Sequence, residues 1–552
     1  MADQAPYDFI IIGAGTAGCV LAARLAASPS KPRVLLLEAG GANQSLKHRA
    51  AGERLTYWTT AEENYRYQTV PESGLDSREL VYDRGHGLGG TSVINIGIWD
   101  YGRREEYDEW ARLVGDDVWR WGNVVEEMKK IENLHDDTTP ELREYVPHHR
   151  ERHGDGGPVD VTYPAKWAPG VKMALDAAKR IGLPFADLYS GDLGVGLPAN
   201  TTYKGLRTTA STAYLANPPD NLHISTNSVA GRVLFDGKKA TGVRLVDGTT
   251  HLAIREVIIC AGVIDTPKLL LLSGVGPDDE LARHSIAPVS ILPGIGRNLG
   301  DHCMTRVMAY AKPGTIPLVS SADIASWKSQ WEADQTGPLL DESALVALGF
   351  FKVDNIQSFP EFRALDEATK DFLTRPQTAH FELSLGILTI PDAPKPAIRT
   401  SVILMNALSR GRVSLRSADS ADPPILELGY LDHAFDRRVL VEGCKVARRF
   451  VYDSGLPAEE PLLGPKGWED EDIEKYLRES VVPTWHGCGT AKMGRVGEQG
   501  TCVDSEFRVV GLSNLRVADL SVCPVIPSNH TQATAYLIGE IAAEKLKEEH
   551  SL

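Results

Sequence analysis

Cysteine is scarce in this sequence, and clusters of basic residues are lacking. Its 552 residues include seven cysteines, which lie far apart and never in a CxxC pair. That spacing speaks against a disulfide framework or a zinc site, and it predicts reduced thiols and no metal ion. Lys and Arg number 58 against 74 Asp and Glu, which gives a net charge of −16. Because no basic stretch offsets this charge, nucleic acid is not an expected partner.

Signals for export or membrane insertion are also missing. No apolar stretch reaches the ~18 residues that a membrane-spanning helix requires, so we expect no membrane partner. The first residues lack a basic region followed by an apolar run, so we expect no signal peptide and a cytoplasmic protein. At roughly 100–200 residues per domain, the length predicts two to four domains.

A strand, a glycine-rich turn, a helix and a second strand are predicted over residues 8–40. The segment Gly13–Gly18 reads Gly-Ala-Gly-Thr-Ala-Gly and fits the GxGxxG pattern. In that pattern the first glycine makes a tight turn, the second lets the backbone approach a pyrophosphate, and the third lets the helix pack on the strand. Glu38 ends the second strand, where a carboxylate can accept a hydrogen bond from a ribose hydroxyl. The pattern predicts cofactor contacts from Gly13, Gly15, Thr16, Ala17, Gly18 and Glu38.

This turn does not distinguish NAD from FAD, and a tight glycine turn in an unrelated α/β domain is the alternative interpretation. Later segments carry more information. The first of them reads Arg-Gly-His-Gly-Leu-Gly-Gly-Thr-Ser-Val-Ile-Asn over residues 84–95. The others cover residues 262–276, 296–302, 485–494 and 527–534. In this order they resemble the signature segments of the glucose–methanol–choline (GMC) oxidoreductases, and the resemblance extends over residues 7–548. His86 and Val263 depart from the family pattern.

The resemblance implies FAD as the cofactor. It assigns further cofactor contacts to Gly90, Thr91, Asn95, Ile96, Gly97, Ile98, Val229, Trp485, Asp519 and Thr531. Some GMC members attach FAD covalently through a histidine next to the asparagine of the first signature. Ile94 stands at that place, so we expect FAD to be held without a covalent bond.

Two histidines stand where GMC enzymes have their active-site residues. His486 matches the catalytic histidine, and His530 matches a second residue that is histidine or asparagine in the family. An imidazole suits a base because its ordinary pKa is ~6.5. The resemblance implies that His486 removes the hydroxyl proton of an alcohol while a hydride passes from its carbon to flavin N5. Asn529 is the alternative to His530 as the residue that faces the flavin, and His302 is interpreted as structural.

The reaction and its substrate leave alternatives open. O2 or another acceptor can reoxidise the flavin, and a non-redox lyase or cyclase that retains FAD is the alternative activity, because some GMC members are of this kind. Family members that act on formate carry an arginine at the place of His530, so the histidine favours an alcohol. Trp485, Ile96, Ile98 and Trp99 suggest an apolar or aromatic one. The oligomeric state stays open.

The fold class implied is α/β, with a Rossmann-like FAD-binding domain and an α+β substrate domain built on an antiparallel sheet. We expect the FAD-binding domain over residues 1–160, 205–310 and 480–552. The substrate-binding domain is expected over residues 161–204 and 311–479. The discontinuity follows from the motifs, because the glycine-rich turn and His486 lie at opposite ends of the chain. Ser409–Arg412 is predicted to be a hairpin turn.

Overall fold

The computed structural model describes residues 5–43, 49–53, 63–140, 143–145, 149–164, 166–341 and 346–552. Within these ranges no helix has both the length and the apolar character needed to cross a lipid bilayer. The seven cysteines are all buried and free.

The strands are numbered in chain order. They are β1 (Tyr7–Ile12), β2 (Val34–Leu37), β3 (Tyr67–Gln68), β4 (Val81–Tyr82), β5 (Ile98–Trp99), β6 (Glu132–Asp136), β7 (Val159–Tyr163), β8 (Gly194–Gly196), β9 (Ala199–Asn200), β10 (Thr202–Tyr203), β11 (Leu206–Arg207), β12 (Leu222–Ser225), β13 (Ala230–Asp236), β14 (Lys239–Leu245), β15 (Thr250–Ile259), β16 (Val275–Gly276), β17 (Ser290–Ile291), β18 (Cys303–Ala311), β19 (Ala347–Phe351), β20 (Phe381–Leu388), β21 (Ala397–Leu404), β22 (Arg412–Ser414), β23 (Ile425–Glu427), β24 (Ala458–Leu463), β25 (Val482–Pro483) and β26 (Leu515–Val517).

The α-helices follow the same scheme. They are α1 (Thr16–Ala26), α2 (Arg104–Val114), α3 (Trp121–Ile131), α4 (Val171–Arg180), α5 (Ala210–Tyr214), α6 (Gly262–Leu272), α7 (Asp278–Arg283), α8 (Ser321–Asp334), α9 (Pro360–Arg363), α10 (Glu367–Thr374), α11 (Ala434–Arg448), α12 (Asp470–Ser480) and α13 (Gln532–His550).

A parallel sheet forms one half of the molecule. Its strands lie in the order β12, β2, β1, β15, β26, and β14 and β13 extend it in antiparallel pairing through the first half of β15. Ile10 of β1 lies opposite Leu35 of β2 on one side and Val257 of β15 on the other. All four residues of β2 are buried, which accounts for its uninterrupted apolar sequence. The carboxyl ends of β1 and β2 meet at one edge, where Gly13 and Glu38 lie.

The two ends of the chain meet on this sheet. Strand β26 pairs in parallel with the second half of β15, and α13 packs on α1. The contact is close, because a Cβ on Gly539 of α13 would lie 2.7 Å from Cβ of Val20 and 2.8 Å from the carbonyl oxygen of Ala17. The C-terminal residues are thereby brought next to the glycine-rich turn.

An antiparallel sheet forms the other half, with the strand order β24, β18, β21, β20, β19, β8. One face packs on α11 and α4, as a Cβ on Gly443 of α11 would lie 2.5 Å from Val402 of β21. Side chains alternate between the faces of a strand, so the neighbours of Val402 point the opposite way. This second face carries Ser401 of β21, in register with Ser384 of β20 and Arg306 of β18.

The α/β fold with a second, antiparallel sheet is as predicted. The domain boundaries stay a prediction, and β18, which begins at Cys303, crosses the predicted boundary at residue 310 while pairing within the antiparallel sheet. The prediction of a hairpin turn at Ser409–Arg412 is wrong. Gly411 instead bridges to Leu299, and Arg412 begins β22, which pairs with β23. The glycine serves close packing there, because a Cβ would lie 2.0 Å from the carbonyl oxygen of Glu427.

Candidate functional site

The glycine-rich turn connects β1 to α1 in the way that its sequence predicts. Gly13 has a φ of +100°, and a Cβ on it would lie 2.5 Å from the carbonyl oxygen of Cys260. A Cβ on Gly18 would lie 1.9 Å from the carbonyl oxygen of Gly13, so this glycine lets the helix pack on the turn. Gly15 is different, because a Cβ on it would meet no atom within 4 Å. The second glycine therefore faces open space.

Glu38 connects three backbone segments around this turn. Its Oε2 accepts a hydrogen bond from the amide of Ala14 at 2.9 Å, and its Oε1 accepts from the amides of Gly40 at 2.8 Å and Gly87 at 3.1 Å. The side chain is buried yet borders the cavity described below. Glu38 thus fixes the turn after β1 relative to the segment that begins at Arg84.

A 3₁₀ turn, Gly90–Val93, brings that segment against the glycine-rich turn. Gly90 has a φ of +52°, and a Cβ on it would lie 2.6 Å from Cα of Gly15. Thr91 Oγ1 accepts a hydrogen bond from the amide of Gly85 at 3.1 Å. Two motifs that lie some seventy residues apart in sequence therefore form one surface.

Residues from the C-terminal part complete the surface. Asn95 donates to Gln532 Oε1 at 2.9 Å, at the start of α13. Asp519 Oδ2 accepts from the amide of Gly262, the first residue of α6, at 2.9 Å and from Thr266 Oγ1 at 2.6 Å. Burial raises the pKa of Asp519, against these hydrogen bonds.

One cavity of about 730 Å³ connects these segments with the antiparallel sheet. The residues predicted from sequence that border it are Gly13, Gly15, Thr16, Ala17, Glu38, Gly90, Thr91, Asn95, Ile96, Gly97, Ile98, Val229, Trp485, His486, Asp519, His530 and Thr531. Gly18 does not border the cavity and acts through helix packing. Asn529 does not border it either, since its side-chain amide donates to the carbonyl oxygens of Asp100 and Tyr101. The geometry favours His530 over Asn529.

The nucleotide end of the cavity offers space and hydrogen-bond donors to a dinucleotide. Gly15 precedes α1, and among the described residues no side chain caps the first amides of that helix. The same holds for Thr531 at the start of α13. Uncapped amides at a helix N-terminus bind phosphate and other anionic groups. These residues therefore fit a dinucleotide cofactor.

The backbone holds His486 in a strained turn at the other end of the cavity. Trp485, just before it, has a φ of +61°, which is costly for a large side chain and is typical of functional sites. Arg84 donates to the carbonyl oxygen of Trp485. Asp301 Oδ1 accepts from the amide of His486 at 2.7 Å, and burial raises the pKa of Asp301 to about 6. Three segments thus fix the position of His486.

Three imidazoles lie side by side there. Nδ1 of His486 lies 3.1 Å from Nδ1 of His302, and the ring centroids of His486 and His530 are 5.0 Å apart at an angle of 76°. Burial and the charge of His530 lower the pKa of His302 to about 3. Burial lowers the pKa of His486 well below 6.5, and the charges of His530, His302 and Arg84 act in the same direction. His486 is therefore neutral at neutral pH.

His530 has the opposite electrostatic environment. Its Nε2 lies 3.1 Å from Oε1 of Glu382, which is fully buried on β20. Burial opposes the charged form of His530, but the carboxylates of Glu382 and Asp100 outweigh it and raise the pKa of His530 above 6.5. The two imidazoles that face the cavity are thus pushed toward different protonation states, a pattern that assigns acid and base roles in enzymes.

The antiparallel sheet, which carries Glu382, forms a further wall of the cavity. Apolar and polar side chains from three strands and adjoining loops border it. They are Met304, Arg306, Val346, Ser384, Leu388, Arg399, Ser401 and Ile403.

Family models described as GMC oxidoreductase match residues 7–304 and 407–539 of the chain. The chain belongs to the GMC oxidoreductase family. Oxygen-dependent choline dehydrogenase of Proteus mirabilis is 32% identical, over 98% of this chain and 96% of its own length. Alcohol dehydrogenase (acceptor) of Pseudomonas putida is also 32% identical, over 98% of this chain and 95% of its own length. A formate oxidase structure from Aspergillus oryzae, solved to study FAD modification, is 27% identical with a TM-score of 0.86 over 100% of both chains.

FAD is the cofactor of this GMC oxidoreductase. The family, the FAD-containing structural neighbour and the uncapped glycine-rich turn agree on this point. The sequence-based recognition of the family and of the cofactor is confirmed. The individual cofactor contacts and the roles of His486 and His530 stay predictions. The structure shows that these residues border one cavity.

Sequence reasoning missed Glu382, Arg306 and Arg399, and it treated His302 as structural. A signal for Glu382 exists, because it interrupts the apolar strand Phe-Glu-Leu-Ser-Leu at residues 381–385, and a buried carboxylate requires a partner. The arginines lie in strands whose neighbours cannot be read from the sequence.

Proposed function

We propose that this GMC oxidoreductase oxidises the hydroxyl group of an apolar or aromatic alcohol to the aldehyde or ketone. His486 accepts the hydroxyl proton, and His530 binds the substrate oxygen. The observation that carries the proposal is the pair of imidazoles, 5.0 Å apart, in one buried cavity with the nucleotide turn. When bound, FAD supplies the two-electron acceptor, from which O2 or another acceptor takes the electrons in turn.

The protonation states of the two histidines support these roles. Neutral His486 has a lone pair available for a proton at neutral pH, since its pKa is lowered. His530 is stabilised as an imidazolium by Glu382, since its pKa is raised. A fixed positive charge next to the substrate oxygen stabilises the negative charge that develops there as the proton leaves.

His302 orients the base in this account. A hydrogen bond joins the two Nδ1 atoms, so one ring donates and the other accepts. The base role requires that His486 donates from Nδ1, because Nε2 is then the nitrogen that can accept the proton. His302 must accept that bond as a neutral imidazole, which agrees with its pKa of about 3. This arrangement corresponds to a base oriented by a third group.

The cofactor contacts are proposed where the cavity borders the predicted residues. Gly15 and the start of α1 would bind the pyrophosphate, Glu38 a ribose hydroxyl, and Val229 the adenine. Trp485, Asp519 and Thr531 would lie along the flavin, together with the segments containing Thr91 and Asn95. The open space at Gly15 and the uncapped start of α1 support this placement.

The substrate class is argued from the wall of the cavity and from relatives. Val346, Leu388 and Ile403 offer apolar surface to the same cavity. The two curated relatives named above are a choline dehydrogenase and an alcohol dehydrogenase. The place of His530 is held by a histidine here, which favours an alcohol over formate.

Anaerobic mixing of the holoenzyme with a substrate panel tests the proposal. The panel contains benzylic, furanic and aliphatic alcohols, choline and formate. We expect at least one alcohol, and not formate, to remove the absorbance of the oxidised flavin with one aldehyde or ketone formed per flavin. Conversion of an alcohol without loss of that absorbance would indicate a non-redox reaction and contradict the proposal. Reduction by formate alone would contradict it as well.

A further inference from the structure

Two arginines project into the cavity from the antiparallel sheet. Arg306 lies on β18 and Arg399 on β21, two strands that pair with Arg306 opposite Ser401. Both side chains border the same cavity as the two histidines. Arg399 donates from Nε and Nη2 to Ser401 Oγ at 3.3 and 3.2 Å. Arg306 Nη2 lies 3.9 Å from Sδ of Met304.

Neither arginine has a carboxylate partner in the part of the chain that the structure describes. No carboxylate oxygen lies within 4.0 Å of either guanidinium there. Two fully buried arginines of this protein do have such partners. Arg103 pairs with Asp100 at 2.6 Å, and Arg516 pairs with Glu256 at 2.7 Å. Arg306 and Arg399 differ from these two, in a chain whose net charge is −16.

The electrostatic situation of this pair favours an anion. Burial lowers the pKa of Arg306. Burial, and then the charge of Arg306, lower the pKa of Arg399 to about 10. Each guanidinium therefore loses hydration and also faces a like charge. A carboxylate between them would relieve both effects, and the planar fork of a guanidinium matches the two oxygens of a carboxylate.

The register of the sheet places Arg306 one row, and Arg399 two rows, from Glu382. Glu382, which contacts His530, lies opposite Ile403 of β21, which in turn lies opposite Met304 of β18. The next row on the same face, two residues along and ~7 Å away, contains Ser384, Ser401 and Arg306. The contacts with Ser401 and Met304 direct both guanidinium groups toward the histidine end.

Apolar and polar side chains border the path between the histidines and the arginines. Met304 and Ile403 share the row of Glu382, whereas Ser384 and Ser401 share the row of Arg306. A molecule that extends from the histidines to the arginines has a polar group at each end and passes the apolar side chains of Met304 and Ile403.

We propose that the substrate of this enzyme is an alcohol that also carries a carboxylate, bound by Arg306 and Arg399 while its hydroxyl lies between His486 and His530. The inference rests on the proposed alcohol oxidation and specifies its substrate class. An aromatic or aliphatic hydroxy acid, with the two groups at opposite ends of an apolar body, has the required shape. A single carboxylate as small as formate cannot reach both ends.

A matched pair of substrates tests the proposal in the unmodified holoenzyme. 4-(Hydroxymethyl)benzoate and 4-methylbenzyl alcohol differ by a carboxylate in place of a methyl group. Anaerobic stopped-flow experiments give kred, the rate constant of flavin reduction, and Kd, the dissociation constant of the substrate. We expect kred/Kd to be roughly 10- to 100-fold higher for the carboxylate compound, because charge-assisted hydrogen bonds to guanidinium groups contribute about that much affinity. Equal values, or a preference for the neutral alcohol, would overturn it. 4-(Hydroxymethyl)phenyl phosphate tests whether the site prefers a phosphate to a carboxylate. A higher kred/Kd for the phosphate than for the carboxylate compound would overturn the carboxylate assignment.

Variants locate the origin of the preference. In Arg306→Met and Arg399→Met the ratio of the two kred/Kd values should fall toward one, and in the double variant furthest. Arg363→Met is the matched control, because Arg363 is exposed on α9, outside the cavity, and the net charge changes equally. The control should retain the preference. A preference that persists in the double variant would contradict the assignment.

A binding measurement separates this inference from the proposed reaction. Calorimetric titration of each holoenzyme with 4-methylbenzoate, which has no hydroxyl to oxidise, reports the anion site alone. The parent and Arg363→Met should bind 4-methylbenzoate. The double variant should bind it more weakly, by roughly 10-fold or more, because it has lost charge-assisted hydrogen bonds to the carboxylate. Equal affinity in the parent and the double variant would overturn the anion site even if alcohols reduce the flavin. Binding without flavin reduction by any alcohol would support the site and contradict the proposed reaction.

Discussion

At the scale of single residues, the proposed reaction depends on the different protonation states of two imidazoles 5.0 Å apart. His486 is neutral because it is buried and lies near positive charge. Burial opposes the charged form of His530, but two carboxylates face it and raise its pKa, which favours the imidazolium. The pair is active when His486 is unprotonated and His530 is protonated. Since the pKa of His486 lies below 6.5 and that of His530 above it, activity should span neutral pH.

Glu382→Gln should narrow the pH range in which the flavin is reduced, because the alkaline limit of that range should move to lower pH. Loss of the carboxylate lowers the pKa of His530, so its proton is lost at lower pH and the alkaline fall of the rate moves to lower pH. Stopped-flow rates across pH measure this shift. Glu479→Gln, an exposed change on α12, should leave the profile in place. An unshifted alkaline limb in Glu382→Gln would contradict the role assigned to His530.

Glu38→Ala should weaken FAD retention more than it slows the reaction of molecules that still hold FAD. The carboxylate accepts three backbone hydrogen bonds around the nucleotide turn, and it lies far along the chain from the histidines. Loss of a charge-assisted hydrogen bond costs on the order of 1.5–3 kcal/mol. The FAD content of the purified variant and its affinity for added FAD measure the effect. Normal content and affinity would rule out the ribose contact.

At the scale of secondary structure, the packing of α13 on α1 joins the two ends of the chain at the cofactor site. Gly539→Ala should lower stability by about 1–3 kcal/mol, as overpacking a close contact does, because its Cβ would lie 2.7 Å from that of Val20. Gly122→Ala on α3 is the control, as a Cβ there meets nothing within 4 Å. It should be neutral or stabilising by up to about 1 kcal/mol.

Thermal unfolding of both variants with saturating FAD checks this prediction. The melting temperature should fall for Gly539→Ala and not for Gly122→Ala. If the two variants melt alike, the close contact between α1 and α13 is not a source of stability.

The elements that sequence could predict are those whose signal is local. The turn at Gly13–Gly18, the strands on either side of it and Glu38 lie within 32 residues, so glycine spacing and apolar runs suffice. The partners of the histidines are not local. Glu382 lies 148 residues from His530, and His302 lies 184 from His486. These contacts depend on which strands pair, and strand pairing has no comparable local signal.

The predicted hairpin at Ser409–Arg412 failed for a related reason. Glycine between apolar runs is typical of a tight turn, but the same residue also permits the close approach of two segments. Gly411 is of the second kind, since it bridges Leu299 and leaves no room for a Cβ. Only the tertiary structure separates the two uses.

At the scale of the whole molecule, FAD should be held by contacts along the cavity and by no covalent bond. Ile94, at the place where some family members attach the flavin, has an aliphatic side chain. Burial raises the pKa of Cys260, which borders the cavity, well above 9.0 and keeps it a thiol, whereas the reactive form is the thiolate. Mild denaturation followed by filtration should release all the yellow colour. Flavin that stays with the denatured chain would show a covalent bond.

The molecule combines an acidic overall composition with cationic side chains at the substrate end of its cavity. A net charge of −16 speaks against non-specific attraction of anions, whereas Arg306, Arg399 and His530 place positive charge where the substrate would bind. Selection for a carboxylate would then operate inside the cavity, after entry, through paired guanidinium groups rather than through the surface field.

The central claim is that His486 is the base, and the rate of flavin reduction under anaerobic conditions tests it most directly. His486→Ala should retain FAD and reduce its flavin roughly 10²–10⁴ times more slowly than the parent, which is the contribution of a positioned general base. His530→Asn should lose less, because an amide can still bind the substrate oxygen. If His486→Ala, loaded with FAD, is reduced by an alcohol at the parent rate, the base lies elsewhere and the account is wrong.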